Sequence, residues 1–228
     1  MGQFNQETFD DFIIENDVIG FFDEPIRLKS GRISNWYVNW RDVTEDVFLT
    51  DRVSDHLLRF TDDLGLEPNC FYGVAEGATK LAIMTQYKMA RRSGSYSKGS
   101  HVLAMGRGKP KEYGVPKDRY FLGQPKGDTL IIEDVTTTGG SLIATLDTLI
   151  EIEVPVIAAI SLTDRMERCD DTRSVKEKIE SRGVAYHAMS SALDLLQKAY
   201  NKIRPRRDIA RSIEEEFEKY GVERLKIL

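Results

Sequence analysis

Cysteine is almost missing from this 228-residue chain: Cys70 and Cys169 are the only two, and they form no C-x-x-C pair. A disulfide framework is thereby excluded, and three scattered histidines, His56, His101 and His187, offer no zinc-ligand cluster. A reducing, cytoplasmic setting is the expectation. Long apolar runs are lacking as well: nothing approaches the ~18 uninterrupted residues of a membrane span. The opening MGQFNQETFDDF has neither the basic region nor the apolar stretch of a secretory leader. Gly2 follows Met1, but Asn5 and Gln6 stand where a myristoylation signal carries Ser or Thr. Positive charge is also short. With 32 Lys and Arg against 37 Asp and Glu, the net charge of -5 argues against a broad nucleic-acid footprint, so any anion site must be local. Finally, there is no G-x-x-x-x-G-K-[ST] and no G-x-G-x-x-G after a strand, which removes the Walker-type and dinucleotide readings.

What is present fits a soluble α/β domain. A 41% apolar content over this length can bury a substantial core. Periodicity predicts helices over 4–18, 47–66, 77–92 and 141–151, with Leu142, Leu146, Leu149 and Ile150 of the last facing a sheet. Short buried strands are predicted over 34–40, 70–74, 101–105, 129–133 and 154–162, an alternation that suggests βαβ units and a parallel sheet. Ser191 with Asp194 resembles a capping box, and Ile209, Ile213, Phe217 and Tyr220 stripe a last charged helix.

The segment TLIIEDVTTTGGSL, residues 129–142, carries the chemistry. A strand ending at Glu133 and Asp134 places two acids at the carboxyl edge of a parallel sheet, where open α/β folds bind ligands. Thr136, Thr137, Thr138, Gly139, Gly140 and Ser141 then make a hydroxyl- and glycine-rich turn directly before a helix. Backbone N–H groups, hydroxyls and the helix N-terminus can converge there on a phosphate, although a plain helix-capping turn has the same composition. Two carboxylates would repel a bare phosphate. They make sense beside a ligand that also offers hydroxyl donors or a divalent metal, as a ribose 5-phosphate does.

This segment resembles the phosphoribosyl pyrophosphate (PRPP) motif of the type I phosphoribosyltransferases. LKSGRIS at 28–34, GVAEGATK at 73–80, RGKPKEYG at 107–114 and SLTDRMER at 161–168 are similar, in order, to orotate phosphoribosyltransferase. The resemblance implies a central parallel sheet flanked by helices in one domain, a small hood drawn mainly from residues 1–45 with some C-terminal contribution, and a flexible basic loop at 107–127. It implies transfer of the phosphoribosyl group of PRPP to orotate, giving orotidine 5′-monophosphate and pyrophosphate. Mg²⁺ would be held mainly through PRPP and water, and the enzyme would be a homodimer with shared active sites. Glu133 and Asp134 would hold the ribose diol, Thr136 to Ser141 the 5-phosphate, and Ala75 and Glu76 the pyrophosphate, across a cis Ala75–Glu76 peptide. Lys29, Tyr37, Val38, Thr137 and Arg165 would contact orotate.

The loop at 107–127 sets six basic residues, Arg107, Lys109, Lys111, Lys117, Arg119 and Lys126, against Glu112 and Asp118. In the resembled family Arg107, Lys109 and Lys111, with Asp134, would serve catalysis by neutralising the departing pyrophosphate, the loop reaching over from the neighbouring subunit. The chain departs from the family's Arg-Lys-x-x-Lys-x-His-Gly at Gly108 and Tyr113, and has Glu76 and Gly77 where a lysine often stands. Two alternatives stay open at this level: a type I transferase acting on a purine or uracil, and a non-catalytic regulator that senses PRPP or a base. Neither nucleic acid nor membrane is an expected partner.

Overall fold

The computed structural model describes residues 2–109, 111–113 and 119–228. The sequence readings of Pro110, Gly114, Pro116, Lys117 and Asp118 lie outside the described residues. The described elements, in chain order, are α1 (Gln6–Glu15), β1 (Ile19–Arg27), β2 (Ile33–Val38), α2 (Trp40–Glu45), α3 (Val47–Asp63), β3 (Cys70–Gly73) and α4 (Thr79–Arg92). There follow β4 (Thr129–Thr136), α5 (Gly140–Glu151), β5 (Val156–Asp164), α6 (Val175–Glu180), β6 (Ala185–Ser191), α7 (Ala192–Ile203) and α8 (Arg207–Tyr220).

Strands β3-β4-β5-β6 form a parallel sheet in that order, and β1 and β2 form a separate antiparallel hairpin. The sheet residues alternate between two apolar cores, as the two-residue pleat requires. Leu130, Ile132, Ile160 and Leu162 face one core with α1, α3, α4, α7, α8 and the hairpin. Ile131, Ala159, Cys70 and Tyr72 face the other with α5 and α6. Burial on both faces explains why these strands read as continuous apolar runs. Side chains start several helices: Asn5 accepts from Thr8 N–H, Asp46 from Leu49 N–H, and Ser174 and Glu177 form a capping box.

Several expectations are corrected. Residues 101–105 do not form a strand. The outer edge of β3 is instead closed by a side chain, Gln86 of α4, which accepts from Phe71 N–H at 2.9 Å and donates to the carbonyls of Asn69 (3.1 Å) and Val102 (2.9 Å). With that edge satisfied, Met105 pairs with the returning limb of the basic loop, donating to Gly123 and accepting from Leu122. Strand β4 runs on through both acids to Thr136, because Glu133, Val135 and Thr136 remain in register with Ser161, Thr163 and Asp164 of β5. Strand β5 lies two residues later than predicted, since Val154 N–H still belongs to the end of α5, bonding the Leu149 carbonyl. Ile150 is 44% exposed, on the outer side of α5. Ser191 caps α7 through Leu193 N–H rather than through a box with Asp194.

The sequence predicts neither the hairpin strand β1, the short helices α2 and α6 nor strand β6, and the strand expected over 34–40 ends at Val38, with Trp40 starting α2. In β1, Asp23-Glu24-Pro25 interrupts the pattern, and the register shifts between Phe21 and Ile26, as a proline-bearing edge strand does. The hairpin is pinned to α8: Ser34 Oγ lies 2.8 Å from Glu216 Oε2, Ser212 donates to Asn35 at 2.7 Å, and Trp36 stacks on Phe217. No described helix is long and apolar enough to cross a membrane.

Candidate functional site

A pocket of about 560 Å³ opens at the carboxyl end of the sheet, between β4, the start of α5 and the hairpin. Its floor is the segment singled out above: Glu133, Asp134, Thr137, Thr138, Gly139, Gly140 and Ser141 all line it. Thr136 does not. Its side chain points into the sheet, its hydroxyl bonded to Ser161 at 2.9 Å, so it supports the turn from within.

The turn is shaped as an anion cradle. Helix α5 begins with no side-chain cap, and Gly139 sits at φ +70°. A Cβ on Gly139 would lie 2.7 Å from Val175 Cγ1, so both conformation and space require glycine. The first N–H groups of α5 are thus left to a ligand. From below, the Cys169 thiol donates to the Thr138 carbonyl at 3.3 Å and steadies the loop.

Glu133 is 7% exposed, and its carboxyl is held well above the usual carboxylate range. Burial is the main cause and neighbouring Asp134 adds to it, while Lys29 pulls the other way. Two adjacent acids at a buried edge therefore favour a ligand bringing hydroxyls or positive charge. Among the described residues no group of three acids, cysteines or histidines could hold a metal. A divalent cation would find two carboxylates here and must take its other ligands from substrate and water, which is how Mg²⁺ is commonly bound.

Opposite the cradle, GVAEGATK forms the turn after β3. The Ala75–Glu76 peptide is cis, as the resemblance implied. Ala75, Glu76 and Gly77 line the pocket, but the close approach at Gly77 is to the protein itself: a Cβ there would fall 2.2 Å from Asp134 Oδ2. A side chain at this position would displace the acid. The hairpin supplies the roof. LKSGRIS is its turn, with Lys29 reaching across to Ser141 Oγ at 3.2 Å, and Tyr37 and Val38 follow on β2.

Arg165 borders the pocket although only 1% exposed. Its guanidinium lies 3.6 Å from the Trp36 ring centroid and is bonded to Glu167 at 2.6 Å and Glu216 at 3.0 Å. Arg107, Lys109 and Lys111 are not among the lining residues of their own chain's pocket. The two limbs of their loop pair through Arg107 N–H to the Tyr120 carbonyl and Lys111 N–H to that of Arg119. A Cβ at Gly108 would lie 2.9 Å from Glu76 Oε1, which puts the loop's root on the pocket rim. Sequence reasoning missed Asn39 and Arg41 in the lining. The signal was an asparagine cap, Asn39 accepting from Arg41 N–H at 3.1 Å, directly after a strand.

Comparison with known proteins gives the same picture. No family model matches the chain. It is 32% identical over 155 residues to an orotate phosphoribosyltransferase of Bradyrhizobium diazoefficiens, covering 64% of this chain and 77% of that one. It is 27% identical over 192 residues to one of Methanopyrus kandleri, covering 84% and 92%. In structure it resembles the crystal structure of orotate phosphoribosyltransferase from Francisella tularensis, with a TM-score of 0.67 at 21% identity over 94% of this chain and 99% of that one.

Proposed function

The chain belongs to the orotate phosphoribosyltransferase family, and from that premise we propose that it transfers the phosphoribosyl group of PRPP to orotate. The products are pyrophosphate and orotidine 5′-monophosphate, a step of pyrimidine nucleotide synthesis. The observation that carries the reading is the convergence, in one pocket, of paired acids, an uncapped glycine turn and a lysine-bearing hairpin.

The 5-phosphate sits in the turn from Thr137 to Ser141, where helix N–H groups and hydroxyls meet it. Glu133 and Asp134 accept from the ribose hydroxyls. Orotate, a flat ring with a carboxylate, lies between Tyr37 and Val38 on one side and the cationic side chains of Lys29 and Arg165 on the other, with Thr137 near the ring. Pyrophosphate faces the Ala75–Glu76 turn. Mg²⁺, when bound through PRPP, water and the acid pair, supplies charge neutralisation for the phosphates. As the C1–pyrophosphate bond breaks, the sugar becomes cationic and the departing group gains charge, so fixed cations beside it lower the barrier. Arg107, Lys109 and Lys111 suit that role, in a homodimer in which each loop serves the partner's site. Two buried free cysteines suit a reducing, cytoplasmic setting.

Pyrophosphate release with PRPP and Mg²⁺ tests the assignment. Release is expected with orotate and not with adenine, hypoxanthine, uracil or no base. Release with a purine or uracil alone would reassign the base, and PRPP binding without release under any base would favour a sensor.

A further inference from the structure

The last sixty residues carry no recognisable motif, yet one of them bonds Arg165, which borders the pocket. Glu216 of α8 is 8% exposed and meets Arg165 and Ser34 with both carboxyl oxygens: Oε1 lies 3.0 Å from Arg165 Nη2 and Oε2 lies 2.8 Å from Ser34 Oγ. Arg165 Nε is bonded to Glu167, but that carboxylate is shared, since Arg32 Nη1 bonds its other oxygen at 2.6 Å. The charged groups facing Glu216 are therefore Arg165 and Glu167, with Arg32 behind Glu167 and itself lying over the Tyr220 ring. Two guanidiniums and two carboxyls make one cluster of formally balanced charge, and a proton on Glu216 leaves it one positive charge in excess.

The hydrogen bonds around Glu216 accommodate either protonation state. When it is ionised, the Ser34 hydroxyl donates to Oε2. When it is neutral, the Oε2 proton points to Ser34 Oγ, and the Ser34 proton turns to the Trp36 carbonyl, 2.9 Å away. Ser34 Oγ also accepts from Trp36 N–H at 3.3 Å and from Arg165 Nη2 at 3.2 Å, so in the neutral state the Glu216 proton takes the place of the Arg165 contact and releases that guanidinium nitrogen.

The geometry points to Glu216 as a positioning residue for the base: it takes up one proton from solvent when an anionic ring docks on Arg165, leaving the guanidinium's charge to the ligand. This deepens the assignment of orotate as substrate and rests on it. Burial lifts the Glu216 carboxyl to about 7, against the pull of Arg165 and Ser34, so the exchange falls in the working pH range. The sign follows. Below about pH 7 the cluster already carries a net positive charge and receives an anion. Above it each bound anion must first draw in a proton, so affinity falls as pH rises, by up to about tenfold per pH unit.

The test is calorimetric titration of orotate into the intact protein at about pH 6 and about pH 8, in two buffers of different ionisation enthalpy. It is run alongside orotate KM and kcat in the PRPP reaction. Wild-type protein should take up protons on binding at the higher pH, and its KM should rise between the two while kcat follows less steeply. Glu216→Gln keeps an acceptor for Arg165 and a donor for Ser34. It should bind without proton uptake, with a KM independent of pH and no weaker than wild type at the higher pH. Binding without proton uptake by wild type, a Glu216→Gln protein that keeps the wild-type slope, or one weakened equally at both pH values would overturn the inference while leaving the activity standing. No orotate binding at either pH would overturn both.

Discussion

Glu133 and Asp134 are adjacent in sequence at the carboxyl end of β4, and burial, with Asp134 beside it, holds Glu133 toward its neutral form. Removing both charges together should separate function from folding. Glu133→Gln with Asp134→Asn is expected to lower turnover by at least about a hundredfold while the urea midpoint stays level or rises, because a carboxyl whose ionisation burial penalises is replaced by a neutral amide. An equally large loss of stability would mark the acids as structural. These residues were legible in the sequence because the motif is contiguous: strand, acids and turn are fixed by local chain geometry. Glu216 was not legible, since it is 51 positions from Arg165, and nothing in its helix distinguishes it from its acidic neighbours.

The element most altered by tertiary context is the segment 101–105, whose composition suits a strand. Gln86 supplies the hydrogen bonds that a neighbouring strand would have made to β3, so the parallel sheet ends there and the segment is free to close the root of the basic loop. Gln86→Met would leave the Phe71 N–H and two carbonyls without these partners. The expected cost is about 1–3 kcal/mol, read as a lower urea midpoint, with the folded protein keeping its turnover because Gln86 does not line the pocket. An unchanged midpoint would show that this edge is satisfied some other way. The hairpin was half visible: its second strand alternates cleanly, whereas Pro25 and the register shift hide the first. Helix α5 was read almost to the residue, yet its outer side chain Ile150 was assigned inward, because one apolar position more than the buried stripe needs is indistinguishable from the stripe.

At the scale of the whole molecule the basic loop and the acid pair are separate parts of one proposed site, and a dimer would unite them. Co-expression of a Glu133→Gln/Asp134→Asn chain with a Lys109→Ala/Lys111→Ala chain should restore activity that neither has alone. The expected level is about a quarter of wild type, since half of randomly paired dimers carry one complete site of two. No recovery in verified mixed dimers would place loop and acids in the same chain. By itself the sequence determined the parallel α/β class, the glycine turn before α5 and the paired acids, because those depend on short-range order: period-two burial, a glycine that must turn, a helix that must begin. Only the tertiary structure decided which cations meet which acids, where the sheet stops, and how the C-terminal helix reaches Arg165. Those outcomes depend on desolvation and on partners brought together from distant positions, and no local pattern records them.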